Sequence, residues 1–261
     1  MSEGNLLLDI RGVCKHFGGV YALNGATFAV EAGEVHALIG PNGAGKTTLI
    51  HAISGMQRLD QGSVHLAGID LTRRSMHERV ALGLARSYQI TNLFMRLTVL
   101  DNVALAVQAR TSTWGSSFRF WRPFSADTEI VEEARALLDR VGLAALALRR
   151  ANQLAHGEQR ALEVALALAS HPRLLLLDEP MAGMGPDESA RMVELLEHLA
   201  RKVTLLLVEH DMGAVFRLAD RISVLVGGRI IATGVPEAIR TDPGVRSAYL
   251  GDMSDDGEAS R

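Results

Sequence analysis

The nine residues Gly-Pro-Asn-Gly-Ala-Gly-Lys-Thr-Thr at positions 40–48 restrict the possible fold more than any other stretch of this chain. They fit the spacing G-x-x-x-x-G-K-[ST] at Gly40, Gly45, Lys46 and Thr47. Gly40, Gly43 and Gly45 let the chain turn tightly and aim successive backbone N–H groups inward, with Pro41, Asn42 and Ala44 completing the loop. The preceding run "EVHALIG" 34–40 reads as a short buried strand. The segment from Lys46 to about Ser54 reads as a helix whose N-terminus is offered to an anion. Lys46 can reach the β- and γ-phosphates of a nucleotide as a point charge. The Thr47 hydroxyl suits Mg²⁺, and Thr48 gives a second hydroxyl at the rim. A plain glycine-rich turn at a strand end would explain the glycines but not the lysine, the hydroxyls and the strand–loop–helix setting together.

Such a loop belongs in an α/β sheet, and the rest of the chain agrees. "LLLDI" 6–10 and "ATFAV" 26–30 read as strands with turns at "FGG" 17–19 and "EAG" 31–33, and "GSVHLAGID" 62–70 returns to strand. "HERVALGLARS" 77–87 reads as an amphipathic helix. From about Thr98 to Ser170 the pattern is mostly helical, with amphipathic stretches at 99–110 and 129–143. The last third alternates: strand 173–177, helix 187–202, strand 203–208, helix 212–219, strand 221–226. Alternation of this kind predicts a parallel sheet covered by helices. We therefore expect an α/β fold with a parallel-sheet core, an N-terminal antiparallel β portion and an inserted helical lobe. The core is assigned to 1–90 and 171–250 and the lobe to 91–170. The polar, acidic tail 251–261 is expected to be disordered.

Composition removes some functions. A net charge of −3 gives no whole-chain field toward nucleic acid. The single cysteine, Cys14, excludes an internal disulfide and fits a reducing compartment. The start lacks the basic segment and long apolar run of a targeting signal. The longest apolar runs fall far short of the ~18 residues a spanning helix needs. A soluble chain that meets a membrane only from its surface is expected.

Three further segments complete a nucleotide site. In "LLLLDEP" 174–180, four leucines form a buried strand and Asp178 emerges at its carboxyl end, where open α/β sheets bind ligands. Asp178 can hold Mg²⁺ through its water shell, and Glu179 can orient and deprotonate an attacking water. In "LLLVEHD" 205–211, His210 follows another buried strand and could donate to the γ-phosphate. Gln89, in "ARSYQITNLF" 85–94, marks the boundary between the first α/β portion and the helical stretch.

With these residues in place the chain resembles the ATP-binding subunit of an ABC transporter, over about Leu8 to Gly251. The resemblance implies a P-loop NTPase (RecA-like) core binding ATP and Mg²⁺. It implies that 40–48 is the Walker A motif, Asp178 the Walker B aspartate, Glu179 the catalytic base and His210 the switch histidine. Gln89 becomes the Q-loop residue, which with Thr47 and Asp178 attends the metal. An aromatic near the N-terminus stacks on adenine in this family; Phe17 in "KHFGG" fits, with Tyr21 as the other candidate. Residues 154–159 occupy the signature position, where Ala155, His156, Gly157 and Glu158 would cover the ATP of a second subunit paired head to tail.

The same resemblance implies a homodimer or heterodimer of ATPase subunits, transmembrane permease subunits and, indirectly, a solute-binding protein. It implies a location on the cytoplasmic face of the membrane and no nucleic-acid partner. "FGGVYALNGATF", "EPMAGMGP" and "GVPEAIRTDPGVRSAYLGD" are similar to the branch importing branched-chain or other hydrophobic amino acids, or amides such as urea. Lipopolysaccharide-export ATPases share much of the pattern. A soluble ABC ATPase acting on ribosomes or DNA usually has two ATPase units or long coiled-coil insertions, and this chain has neither.

The signature departs from the usual Leu-Ser-Gly-Gly-Gln: Ala155 replaces the serine and His156 the first glycine. The missing hydroxyl is one hydrogen bond to a charged group, about 1.5–3 kcal/mol. The backbone N–H groups of the following helix remain, so we expect a working site with an uncovered helix N-terminus facing phosphate. His156 either donates to phosphate or a partner subunit, or turns to the lobe surface. Gly185 stands where the family usually places an aspartate. The stretch 109–124 interleaves both tryptophans with phenylalanines and arginines. It could fold back on the lobe, meet a membrane partner or lipid surface, or stack on nucleic acid.

Overall fold

A computed structural model describes residues 5–87, 93–111 and 128–250, with the side chains of residues 249 and 250 not described. Gln89, residues 112–124 of the aromatic stretch, and the tail 251–261 lie outside the described residues.

The chain opens with a long hairpin. β1 (Leu6–Phe17) and β2 (Val20–Glu31) pair antiparallel on either side of Gly18 and Gly19, extending well beyond the short cores read in sequence. The segment 62–70 is not one strand. β4 (Gln61–Leu66) pairs with β1, and Ala67 (φ 49°) and Gly68 (φ 80°) turn it into β5 (Ile69–Asp70). Two successive left-handed residues make the tight turn whose twist suits a hairpin. The four strands form a sheet in the order β2-β1-β4-β5.

The second sheet contains β3 (Val35–Ile39), β6 (Leu84–Arg86), β7 (Leu174–Asp178), β8 (Thr204–Val208), β9 (Arg221–Val226) and β10 (Arg229–Gly234). Its order is β10-β9-β3-β8-β7-β6, parallel throughout except for the β9–β10 hairpin. β6 corrects the expectation of a helix over 77–87. Only α2 (Met76–Ala81) is helical there. Gly83, at φ 96°, ends the helical path, and Leu84 and Ala85 then pair with Leu174 and Leu175 of β7. α2 begins with a reciprocal cap. Ser75 accepts from the Glu78 N–H, and the Glu78 carboxylate accepts from the Ser75 N–H. Its hydrogen bond with Arg74, then those with Ser75, hold the Glu78 carboxyl at about 2.

The remaining helices are α1 (Lys46–Ser54), α3 (Val99–Thr111), α4 (Thr128–Arg140), α5 (His156–Leu168), α6 (Pro186–Ala200), α7 (Met212–Leu218), α8 (Pro236–Thr241) and α9 (Pro243–Leu250). The leucines of β7 and β8 show how the layers join. Alternate residues point to opposite faces of a strand. Leu175, Leu177, Leu205 and Leu207 pack with α3, α4, α5 and α6. Leu174, Leu176, Leu206 and Val208 pack with α1 and the antiparallel sheet. Each fully buried leucine stabilises by about 1.5–3 kcal/mol. A strand buried on both faces must be apolar throughout, which is why "LLLL" was readable as one.

Two buried polar groups are fully engaged. Arg79 closes the C-terminal end of α1, donating from Nη1 to the carbonyls of Ala52 (2.7 Å) and Ile53 (2.6 Å). In β3, His36 Nδ1 lies 2.9 Å from Glu34 Oε1 and its Nε2 lies 2.9 Å from Ser223 Oγ, which in turn meets Thr233.

Candidate active site

Strand register assembles the site. Leu38 of β3 and Asp178 of β7 are both paired with Val208 of β8, so three neighbouring strands end side by side. Each then releases its polar residues at the same edge: the phosphate loop from β3, Asp178 and Glu179 from β7, and Glu209 and His210 from β8.

The loop's glycines serve different needs. Gly40 is buried, and a Cβ there would run into the carbonyl oxygen of Leu225, with its carbonyl carbon 3.2 Å away. Gly45, at φ 104°, presses against the Ala22 carbonyl of β2. Gly43 has open space around it and a φ of 77°, so its requirement is conformational. α1 begins after Gly45 with no side-chain cap, leaving its first-turn N–H groups to a ligand. Lys46 folds over the loop, its Nζ donating to Gly40 O (2.6 Å) and Pro41 O (3.1 Å). Burial pushes its pKa down, and the charges of Glu179 and Asp178 oppose this. Thr47 is exposed and Thr48 half-buried beside it.

Asp178 is buried and paired with Arg86 of β6, Oδ2 to Nη2 at 2.9 Å. Glu179 is a non-glycine residue at φ 49°. This left-handed geometry costs an L-residue about 1–2 kcal/mol and turns the chain sharply off the strand. The Glu179 carboxylate is partly exposed, and its Oε1 lies 3.9 Å from Nδ1 of the exposed His210. Glu209, which sequence reasoning passed over, is almost wholly buried between them. It accepts from the N–H of Met181 (3.0 Å) and of His210 (3.1 Å), tying the end of β8 to the loop after β7. Burial pushes its carboxyl up, against the pull of those bonds. A charged residue directly after a fully apolar strand was the available signal. Arg86, Glu188 and Glu209 are the site residues that the sequence did not single out.

Phe17 and Tyr21 are both exposed at the turn end of the first hairpin. Lys15 Nζ lies 5.4 Å from the centre of the Phe17 ring, while Tyr21 meets His16 edge-on. Because Ala22 touches Gly45, this hairpin end adjoins the phosphate loop.

The signature segment is arranged differently from expectation: the N-terminus of α5 is covered by two carboxylates from the same chain. Glu158 Oε2 accepts from the Ala155 N–H at 2.8 Å, and Glu188 Oε1 of α6 accepts from the Gly157 N–H at 3.3 Å. The partial positive charge of a helix N-terminus attracts such groups. Ala155 has no side-chain oxygen for the other half of a capping pair. His156 is exposed, and its ring Nε2 lies 3.3 Å from Ala182 O in the loop after β7. Gly185 caps α6 and is followed by Pro186. Among the described residues, no hydrogen bond or ion pair links 155–158 to 40–48. Thus Lys46, Asp178, Glu179 and His210 come together, and the signature residues do not join them within one chain.

The donor set fits Mg²⁺. Among the described residues no group of three or more His, Cys, Asp or Glu side chains could hold a metal. Mg²⁺ is commonly held by one or two carboxylates with substrate phosphates and water, which is what Asp178, the Thr47 hydroxyl and an open anion site provide.

The sequence profile of the ABC transporter family matches residues 23–182, and that of the branched-chain amino acid ATP-binding cassette transporter matches residues 229–254. The high-affinity branched-chain amino acid transport ATP-binding protein LivG of Salmonella typhimurium is 36% identical over 250 residues, covering 94% of this chain and 98% of that protein. BraF of Pseudomonas aeruginosa, described in the same words, is 37% identical with the same coverage. The crystal structure of MJ1267 in its ADP conformation, an ATP-binding cassette of an ABC transporter, superposes with a TM-score of 0.83. It is 31% identical in sequence and covers 94% of this chain and 99% of that one.

Proposed function

The chain belongs to the ABC transporter family, and from that premise we propose that it is the ATP-hydrolysing subunit of an importer for branched-chain amino acids. The observation that carries the ATPase reading is the register that ends β3, β8 and β7 together, bringing Lys46, Asp178, Glu179 and His210 to one edge. The import assignment is supported by LivG and BraF, which match over nearly their whole length, and by the C-terminal profile match.

ATP lies with its phosphates on the loop 40–48, held by backbone N–H groups and the start of α1. Lys46 exchanges the carbonyls of Gly40 and Pro41 for phosphate oxygens; a partly desolvated ammonium gains from that exchange. Thr47 and Asp178 would hold Mg²⁺, with Gln89 as a third contact, and the ion would supply charge neutralisation for the phosphates. Glu179 orients the attacking water and takes its proton. His210, beside Glu179, donates a hydrogen bond to the γ-phosphate. Phe17 stacks on adenine, with Tyr21 as the alternative.

Ala155, His156, Gly157 and Glu158 act on the nucleotide of a second subunit, a copy of this chain or a close relative, paired head to tail. Closure of that pair on two ATP molecules, and reopening after hydrolysis, transmits work to permease subunits. The chain works from the cytoplasmic face; among the described residues no helix is long and apolar enough to cross a membrane. A solute-binding protein delivers the amino acid to the permease.

The test is reconstitution with the permease subunits and binding protein of the same system. Leucine, isoleucine or valine should raise ATP hydrolysis and enter the vesicles only when ATP is supplied. Stimulation by urea or short amides alone would overturn the solute assignment. Hydrolysis that ignores Glu179→Gln would overturn the assigned base.

A further inference from the structure

Arg86 is the last residue of β6, and it is buried. Its guanidinium reaches side chains of two elements and of the turn beyond one of them. Nη2 meets Asp178 Oδ2 at the end of β7 at 2.9 Å, and Nη1 donates to Ser54 Oγ (3.4 Å) at the far end of α1 and to Met56 Sδ (3.0 Å) just beyond it. Among the described residues no other group donates to the Asp178 carboxylate. A carboxylate bound through one oxygen by a planar, anchored guanidinium has its rotation restrained and its other oxygen left for another partner. A buried ion pair of this kind is weak evidence of stabilisation, because desolvation offsets much of the attraction. A role in orientation accounts better for its place beside the phosphate loop.

We propose that Arg86 is a positioning residue for the metal site: it sets the rotation of Asp178, and ties that rotation to α1, the helix that begins at Lys46 and Thr47. This rests on Asp178 being a Mg²⁺ ligand. The geometry separates two steps. Nucleotide without metal depends on the loop and Lys46, which Arg86 does not touch. Nucleotide with Mg²⁺ depends on Asp178, which it does. Lysine at 86 keeps the charge but cannot span Asp178 and Ser54 together.

The experiment measures binding of a fluorescent ATP analogue to the full chain carrying Glu179→Gln, first in EDTA and then as a function of Mg²⁺. Arg86→Lys should leave affinity in EDTA unchanged and raise the half-saturating Mg²⁺ about tenfold, as loss of one charge-assisted hydrogen bond would. Ser54→Ala, which removes one anchor of the guanidinium away from Asp178, should move it the same way by less. Asp178→Asn should abolish the Mg²⁺ response; if it does not, the metal reading of Asp178 is wrong. If Asp178→Asn abolishes the response while Arg86→Lys and Ser54→Ala leave it unmoved, the positioning role is overturned.

Discussion

Replacing Gly40 with alanine isolates one demand of the phosphate loop. Gly40 is not at positive φ, so alanine carries no backbone strain there. Its methyl group would instead enter the Leu225 carbonyl and sit 3.2 Å from the Ala44 Cβ. Leu225 cannot withdraw easily. It pairs with Ile230 across the β9–β10 hairpin, and the neighbouring Val224 pairs with Ile39 of β3. Overpacking of this kind costs about 1–3 kcal/mol, and for a domain of this size each kcal/mol lowers Tm by about 2–4 °C. The strain falls where the loop leaves β3, so ATP affinity should drop about tenfold or more. Gly68→Ala is the matched control: it lies outside the site with open space and a φ of 80°. Its cost is backbone strain of about 1–2 kcal/mol, and it should lower Tm without changing nucleotide affinity. Calorimetric ATP titration and thermal melts decide the matter. If Gly40→Ala binds ATP and melts as the parent does, the close approach to Leu225 has been misjudged.

Other expectations follow from the same geometry. Glu179→Gln should cut ATP hydrolysis by about 10²–10⁴-fold and accumulate an ATP-bound pair of subunits on size-exclusion chromatography; a variant that stays monomeric with ATP counts against closure. His36→Ala strips Glu34 and Ser223 of a buried partner and should cost about 1–3 kcal/mol in urea denaturation, with ATP affinity unchanged. Burial lifts the Glu209 carboxyl above its ordinary 4.5, so the folded chain holds that proton more tightly than the unfolded one. This contribution to stability is full below about pH 4.5 and is lost as pH rises through the folded value. The urea midpoint of the parent relative to Glu209→Gln should therefore fall across that window, and a pH-independent difference would contradict the burial argument.

What sequence alone conveyed depended on how local each requirement was. The loop 40–48 and the strands at 174–178 and 204–208 were legible because their needs sit in consecutive residues. β6 was not: three residues, Leu84–Arg86, lie inside an apolar pattern of helical period, and only pairing with β7 makes them a strand. The turn at Ala67 and Gly68 hid because alanine is an unusual residue for a left-handed position. Arg86, Glu188 and Glu209 draw their roles from partners 92, 31 and 28 positions away, respectively. No spacing rule joins such residues until the fold does. The expectation of a bare helix end at 156 failed for the same reason, since Glu188 arrives from α6.

The alternation of leucines in β7 and β8 bears on movement. Leu175, Leu177, Leu205 and Leu207 belong to one continuous apolar body with the inner residues of α3, α4 and α5. Among the described residues this apolar body runs without a break from the two strands into the three helices. Close-packed interiors accommodate small sliding of interlocked side chains, one of the ways such layers move. A displacement of α3, α4 or α5 would therefore be felt directly by Leu175 and Leu177, the residues of β7 that lead to Asp178.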